Sequence, residues 1–253
     1  MLARLTGLWG VILTRLTAGL WTRRLTRAEG VEAKVLRRWR AQSRRLLRLT
    51  RTLDELATRR LNGPVSTSAV IEVPPDATMV FRPALLATAQ EPAGHAGPAS
   101  NTAVAPGVTL FHDMPRADAL IRQRPGPDGR HACEIELWGG GGSFLSLALA
   151  LPEAEAQATR REDLIRLAYD IGAEHPTEIF ARLNLSHGPN VEEVVRQVDL
   201  RAGTNWLEFD VFYTDFEPER VNEIWIDLMF DPRTANRITL RDILILRRPR
   251  LSL

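Results

Sequence analysis

Ile224-Trp225-Ile226-Asp227-Leu228-Met229-Phe230 and, a short loop later, Ile238-Thr239-Leu240-Arg241-Asp242-Ile243-Leu244-Ile245-Leu246 decide the fold. In the first stretch apolar residues alternate with others, the period of a strand whose successive side chains point to opposite faces. Ile224, Ile226, Leu228 and Phe230 form an inward set, and Trp225, Asp227 and Met229 point the other way. Trp206–Tyr213 reads alike, with Leu207, Phe209, Val211 and Tyr213 inward and Trp206, Glu208, Asp210 and Phe212 outward. In the 178–185 run Ile179, Ala181, Leu183 and Leu185 oppose Phe180, Arg182 and Asn184.

Working outward, the same texture recurs at Val108–His112, Ala119–Gln123, Cys133–Trp138, Phe144–Leu151, Leu164–Ile171 and Val194–Leu200. Turn signals separate the runs, among them Pro125-Gly126-Pro127-Asp128-Gly129, Gly139 to Gly142 and His187-Gly188-Pro189-Asn190. No helical pattern long enough for crossovers intervenes, so the reading is an antiparallel two-sheet sandwich of mainly β class. The segment Leu151 to Asp163 has room for one helical turn or a short helix. Residues 84–107 are rich in Pro and Gly and read as too polar and broken to be core.

Upstream of Asn62-Gly63-Pro64 the period changes to that of a helix. Leu2, Leu5, Leu8, Trp9, Ile12, Leu13, Leu16 and Leu20 share one face, and Gly30 separates this run from a second over Val31–Leu61. The chain is therefore expected as a basic amphipathic helical arm (1–62), a connecting region with one or two strands (63–107) and a sandwich body (108–253). The formal charge of +2 over 253 residues conceals this division. Residues 1–62 carry 15 basic and 4 acidic side chains, a net of +11, and the remainder carries 18 and 27, a net of −9. Of the 33 basic residues only Lys34 is lysine. A G+C-rich bacterial genome explains that bias, as does bidentate binding of phosphate or carboxylate.

The arm's first helix is too interrupted to span a membrane, because Arg4 and Arg15 bracket an apolar stretch of ten residues where about twenty are needed. Its stripe suits a membrane interface, a partner or the protein's own body. The candidate contacts are Leu5, Trp9, Ile12 and Leu16 with Arg15, Arg23 and Arg24. Arg23, Arg24 and Arg27 stand where a signal peptide would need small residues. In the second run Val35, Trp39, Gln42, Leu46, Leu49, Leu53 and Leu56 make a heptad seam suited to self-association. The flanking arginines could meet anionic lipid, the acidic body or nucleic acid, although no nucleic-acid reading motif accompanies them.

The runs Phe180 to Asn190, Leu207 to Tyr213, Ile224 to Phe230 and Asn236 to Arg250, with Leu110–Asp113 and Phe144–Leu147, resemble an uncharacterised alphaproteobacterial family over about 140 residues. That family has no assigned activity, so the resemblance implies no catalytic residues. The closing strand pair is also similar to the end of jelly-roll domains of the galactose-binding and carbohydrate-binding kind. This second resemblance implies a sandwich of eight to ten strands with ligands on a sheet face or in the loops at one end.

Aromatic faces cover the apolar side of a pyranose, while carboxylate, amide and guanidinium groups bond its hydroxyls. Trp206, Trp225, Arg182, Asn184, Asp210 and Asp227 are thus the candidate ligand-binding residues. The bland alternative has a tryptophan covered by the arm and the carboxylates paired with Arg182 or Arg241. A hydrolase would draw its acid and base from Glu134, Glu136, Asp210 or Asp227. The five histidines show no ligand-type spacing, Cys133 reads as a small core residue, and Gly139 to Gly142 lacks the Gly-Lys-[Ser/Thr] of a phosphate loop. No catalytic residue, metal or cofactor is assigned. The expectation is a non-enzymatic binding or scaffolding protein, cytoplasmic, with peripheral contact at the inner membrane.

Overall fold

Strands form where the alternation is strictest. The structure, a computed structural model, describes residues 17–61, 71–126, 130–139 and 141–250. They belong to two compact units that divide between Ala57 and Thr58.

In the first unit residues 17–27 form helix α1, a single 3-10 turn follows at Ala28–Gly30, and α2 begins at Ala33 and runs to Leu61, past the division. Arg24 of α1 joins the two helices. Its guanidinium lies 4.7 Å from the Trp21 ring centre and 5.4 Å from that of Trp39, and it donates to Gln42 Oε1 at 2.9 Å. Trp39 and Gln42 are both members of the heptad seam, whereas Leu46, Leu49 and Leu53 further along it are exposed. Leu5, Trp9, Ile12, Arg15 and Leu16 lie outside the described residues.

The second unit contains β1 (Met79–Phe81), α3 (Ala84–Ala87), β2 (Gly94–Ala96), β3 (Thr102–Ala105), β4 (Val108–His112), β5 (Ala119–Pro125), β6 (His131–Leu137), β7 (Leu145–Ala150) and α4 (Glu153–Gln157). It continues through β8 (Asp163–Ala173), β9 (Ile179–His187), β10 (Asn190–Gln197), β11 (Asn205–Asp210), β12 (Val221–Phe230) and β13 (Arg237–Pro249). One sheet runs β11-β8-β13-β6-β5-β2, with β1 also on β13, and the other runs β10-β9-β12-β7-β4-β3. Every pairing is antiparallel. This is the two-sheet antiparallel sandwich that the alternation predicts. Its core lies between the sheets, where Ile179, Ala181, Leu183 and Leu185 of β9 and Ile224, Ile226 and Leu228 of β12 are fully buried, with Cys133 of β6 among them.

β13 carries an unbroken apolar run because it is covered on both sides. The register of β13 on β8 shifts between Leu240 and Asp242. Beyond that irregularity Ile243 and Ile245 join the main core, and Leu244 and Leu246 pack with Ile71 and Ala168 in a second cluster.

Three expectations need correction. The strand proposed for Trp206–Tyr213 ends at Asp210, and Val211–Tyr213 form a 3-10 turn. Asp210 Oδ1 accepts the Phe212 N–H at 3.1 Å, a local side-chain cap that competes with the strand ladder, so Tyr213 is exposed rather than inward. The strand placed at Val194–Leu200 begins at Asn190, because the alternation carries straight out of the Gly188 turn, where φ is +52°. Finally, residues 84–107 do reach the core. Leu85 and Leu86 of α3 and Val104 and Ala105 of β3 are buried, while β2 and β3 each extend a sheet. The surrounding Pro and Gly mask two short apolar pieces, and Gln123 supplies the backbone partners their turns need, donating to the Leu85 and Thr88 carbonyls and accepting the Gln90 N–H.

Candidate functional site

On the outer side of the β10-β9-β12-β7 sheet, strand register assembles a polar cluster. Trp225 stands between Asn184 and Ala150, and the next outward residue, Asp227, stands between Arg182 and Ala148. One step further Met229 lies between Phe180 and Ser146. Asp227 is the centre. It is only 4% exposed, and its Oδ2 accepts from Arg182 Nη2 at 3.0 Å and Nε at 3.3 Å, Asn184 Nδ2 at 3.0 Å and Trp225 Nε1 at 3.2 Å. Its Oδ1 accepts from Ser146 Oγ at 3.1 Å.

A buried carboxylate is tolerable only when it is paired and hydrogen-bonded, and this one is both. The bonds in turn fix their donors. The Trp225 indole is half-buried and held at its N–H, and Arg182 is oriented between Asp227 and Glu193 of β10, whose Oε2 lies 3.4 Å from Arg182 Nη1. Asn184, fully buried, also donates to the Arg182 and Trp225 carbonyls. Ala148 and Ala150 on the neighbouring strand leave low ground beside these larger groups. Phe180, Met229 and Phe111 extend the face with partly exposed apolar surface.

Four of the six candidate ligand residues are thus brought together, namely Arg182, Asn184, Trp225 and Asp227. The other two are not with them, because Trp206 and Asp210 belong to β11 at the edge of the opposite sheet. Trp206 is exposed and carries Arg166 over its ring at 4.2 Å, and Asp210 pairs with Arg250 at 3.2 Å. Sequence reasoning missed Ser146 and Glu193. Both sit at outward positions of their strands, but only the pairing of β7 and β10 brings them to Asp227 and Arg182.

The remaining chemistry is largely structural. Glu134 and Glu136 lie on β6, where Arg122 binds both, at 2.7 Å and 2.6 Å. Burial raises the Glu134 carboxyl, but the hydrogen bonds and charges of Arg124 and Arg122 outweigh it and hold the group below its ordinary value. Of the two arginines expected to pair with the candidate carboxylates, Arg182 does so at Asp227, whereas Arg241 binds Asp170 at 2.7 Å instead. In the glycine-rich turn, Asp113 takes the Ser143 N–H at 2.8 Å, its hydroxyl at 2.6 Å and the Phe144 N–H at 3.1 Å, so the donors a phosphate would need are already used. In the arm Arg23 is exposed and Arg24 is engaged as described. Among the described residues no helix is long and apolar enough to cross a membrane, and no group of three His, Cys, Asp or Glu side chains could hold a metal ion.

A family model matches residues 1–253, the arm included. The chain belongs to DUF6478, a family of unknown function. No curated protein matches it. The sandwich is similar to the family 11 carbohydrate-binding module from Clostridium thermocellum, solved with a β-1,3-1,4-mixed-linked tetrasaccharide, at 10% identity and a TM-score of 0.38 over 62% of this chain and 97% of that one. It is also similar to a structure described as CBM4, at 16% identity and a TM-score of 0.35 over 59% and 92% of the two chains. Similarity to the enzymatically active domain of bacteriophage CBA120 tailspike protein 4, at 9% identity and a TM-score of 0.39, covers 55% of this chain but only 19% of the phage chain.

Proposed function

We propose that the protein is a non-enzymatic binding protein whose sandwich takes a glycan on the sheet face around Trp225. The observation that carries this reading is the Asp227 network, which fixes an indole ring and a guanidinium on one carboxylate oxygen, with Ala148 and Ala150 on the adjacent strand. A pyranose needs a flat apolar platform on one side and charged or amide donors for its hydroxyls. Trp225 supplies the first and Arg182 the second, and both are held before any ligand arrives, which lowers the entropy cost of binding. The same network disfavours the hydrolase alternative. Asp227 accepts bonds from four side chains and lies out of reach of bulk water, and Glu134 and Glu136 are tied to arginines on the other sheet.

A glycan array followed by calorimetry on the strongest hit tests the reading. Trp225→Ala and Arg182→Ala are each expected to weaken binding by about tenfold or more, the loss of a stacked or charged contact. Array signals no higher than background, or binding indifferent to both substitutions, would sink it.

The arm adds a second contact surface, for which we propose the anionic cytoplasmic face of the inner membrane. Support comes from Leu20, Leu25, Leu46, Leu47, Leu49 and Leu53, all exposed on helices that also bear most of the arm's +11 charge. Sedimentation with anionic vesicles should fall on deleting residues 1–28 and in high salt. Unchanged sedimentation removes the membrane and leaves a protein partner, or a second copy through the 35–56 seam, as the occupant.

A further inference from the structure

Strand β10 leaves one edge of its sheet open. It pairs with β9 alone, over all eight of its residues and with no register shift, so it is long and regular. The Val198 N–H donates to the Ile179 carbonyl at 2.8 Å. Bonded and non-bonded pairs alternate along an antiparallel ladder, which turns the backbone N–H and C=O of Val191, Glu193, Val195 and Gln197 away from β9. Among the described residues none bonds those N–H groups, and the Val195 carbonyl takes a local bond from Arg196 Nη1 at 3.0 Å. Val191 and Val195 are also 47% and 46% exposed. Proteins guard such edges with short strands, bulges, proline or lysine, because an open ladder pairs with other chains. The other edges are guarded. β2 has three residues, β3 has four with a register shift, and β11 turns into its 3-10 helix at the Asp210 cap after six. β10 has none of these devices, and its charges complement one another instead.

We propose that β10 pairs antiparallel with β10 of a second copy about a two-fold axis, Val194 facing Val194. An axis perpendicular to the sheet keeps each residue on its own face, so facing residues differ by an even number. With Val194 at the centre, Glu192 faces the partner's Arg196, and by symmetry the pair occurs twice. These are non-hydrogen-bonded pairs, whose Cα atoms lie about 4.5 Å apart and whose side chains meet. The same register sets Val191 against Gln197 and Glu193 against Val195, the four residues whose backbone groups point outward, so the ladder closes. A centre at Glu192, Glu193 or Arg196 would set a charge against itself, and one at Val195 would leave Glu192 facing Val198 and Arg196 facing Val194. Within its own chain Glu192 makes long contacts, with the Asp215 N–H at 3.4 Å and His187 Nε2 at 4.0 Å, and Arg196 is exposed, so both can turn to the partner. The pairing joins two six-stranded sheets into one and turns both Trp225 faces to the same side, and it stands whether or not that face binds a glycan.

Sedimentation equilibrium of the full chain, with amide exchange followed by NMR, tests the pairing. The expected result is a monomer–dimer equilibrium in which the Val191, Glu193 and Val195 amides become protected as concentration rises. Arg196→Glu and Glu192→Arg each set like charges opposite one another twice and should weaken the dimer by about tenfold or more, while the two together restore it. Circular dichroism checks that each variant folds, and if Glu192→Arg does not, Arg196→Glu at its exposed position decides alone. A chain that stays monomeric at the highest concentration reached overturns the proposal, as does a folded combined variant no more dimeric than the single ones. A dimer that ignores both reversals, with the three amides exchanging alike in dilute and concentrated samples, also overturns it and assigns association to the 35–56 seam, where Leu49→Arg and Leu53→Arg should then abolish it.

Discussion

Asp227 accepts hydrogen bonds from Ser146, Arg182, Asn184 and Trp225 while almost none of its surface reaches solvent. Removing it leaves buried donors without acceptors, and that desolvation cost is larger than the net worth of the bonds themselves. Asp227→Ala is therefore expected to destabilise the protein by about 2–4 kcal/mol, discounted for the partial exposure of Arg182. Urea unfolding should show a lower midpoint with an unchanged slope. Cys133 poses the opposite case. Burial, and secondarily the negative charge of Glu134, pushes its thiol well above the ordinary value, so the thiolate is essentially absent at neutral pH. Thiol reagents should leave the native protein unmodified and label one site once it unfolds. Both residues were legible in part from the sequence. Alternation placed Cys133 in the core and turned Asp227 to the outer face, but the burial of Asp227 comes from neighbours that only register supplies.

Among elements, the turn between β6 and β7 shows how a loop is set by a residue thirty positions away. Asp113 closes it through Ser143 and Phe144, and a Cβ on Gly142 would sit 2.7 Å from Asp113 Oδ1 and 2.7 Å from Met114 Cγ. Gly142→Ala should therefore displace Asp113 and release the turn, seen as faster hydrogen exchange at the Ser143 amide. The pH dependence has a definite sign. The Ser143 hydroxyl first, then the Phe144 N–H, hold the Asp113 carboxyl below its ordinary value of 3.8. A depressed folded-state value means the closure is fully present above pH 3.8 and is lost as pH falls through the lower folded-state value. Ser143 protection should thus be flat from neutral pH to about pH 4 and decline only below it. The expectation that the glycines form no phosphate loop rested on the missing Lys, and the structure adds that Asp113 occupies the donors. For the strands, local pattern located most elements but misjudged their ends wherever a side chain capped the backbone, as Asp210 does after β11.

At the scale of the molecule, the large core cluster draws on both sheets, so the body should unfold in a single transition. A fragment beginning at residue 63 is expected to keep the strand signature by circular dichroism and, with its net −9, to bind an anion exchanger at pH 7. Loss of cooperative unfolding in that fragment would mean that the arm is part of the sandwich's stability. The sequence by itself determined the charge division, the change of period near residue 62 and the two faces of each strand, because helix and strand periods and net charge are local properties of the chain. It could not determine which strands are neighbours. Grouping Trp206 with Trp225 was reasonable from alternation alone, yet β11 pairs with β8 and β12 with β9 and β7, which puts the two tryptophans on opposite sheets. A period of two tells a side chain's face relative to its own strand. The sheet that the strand joins, and the residues that then flank it, are fixed by pairings between distant segments and by packing of the common core. Only the tertiary structure carries that information.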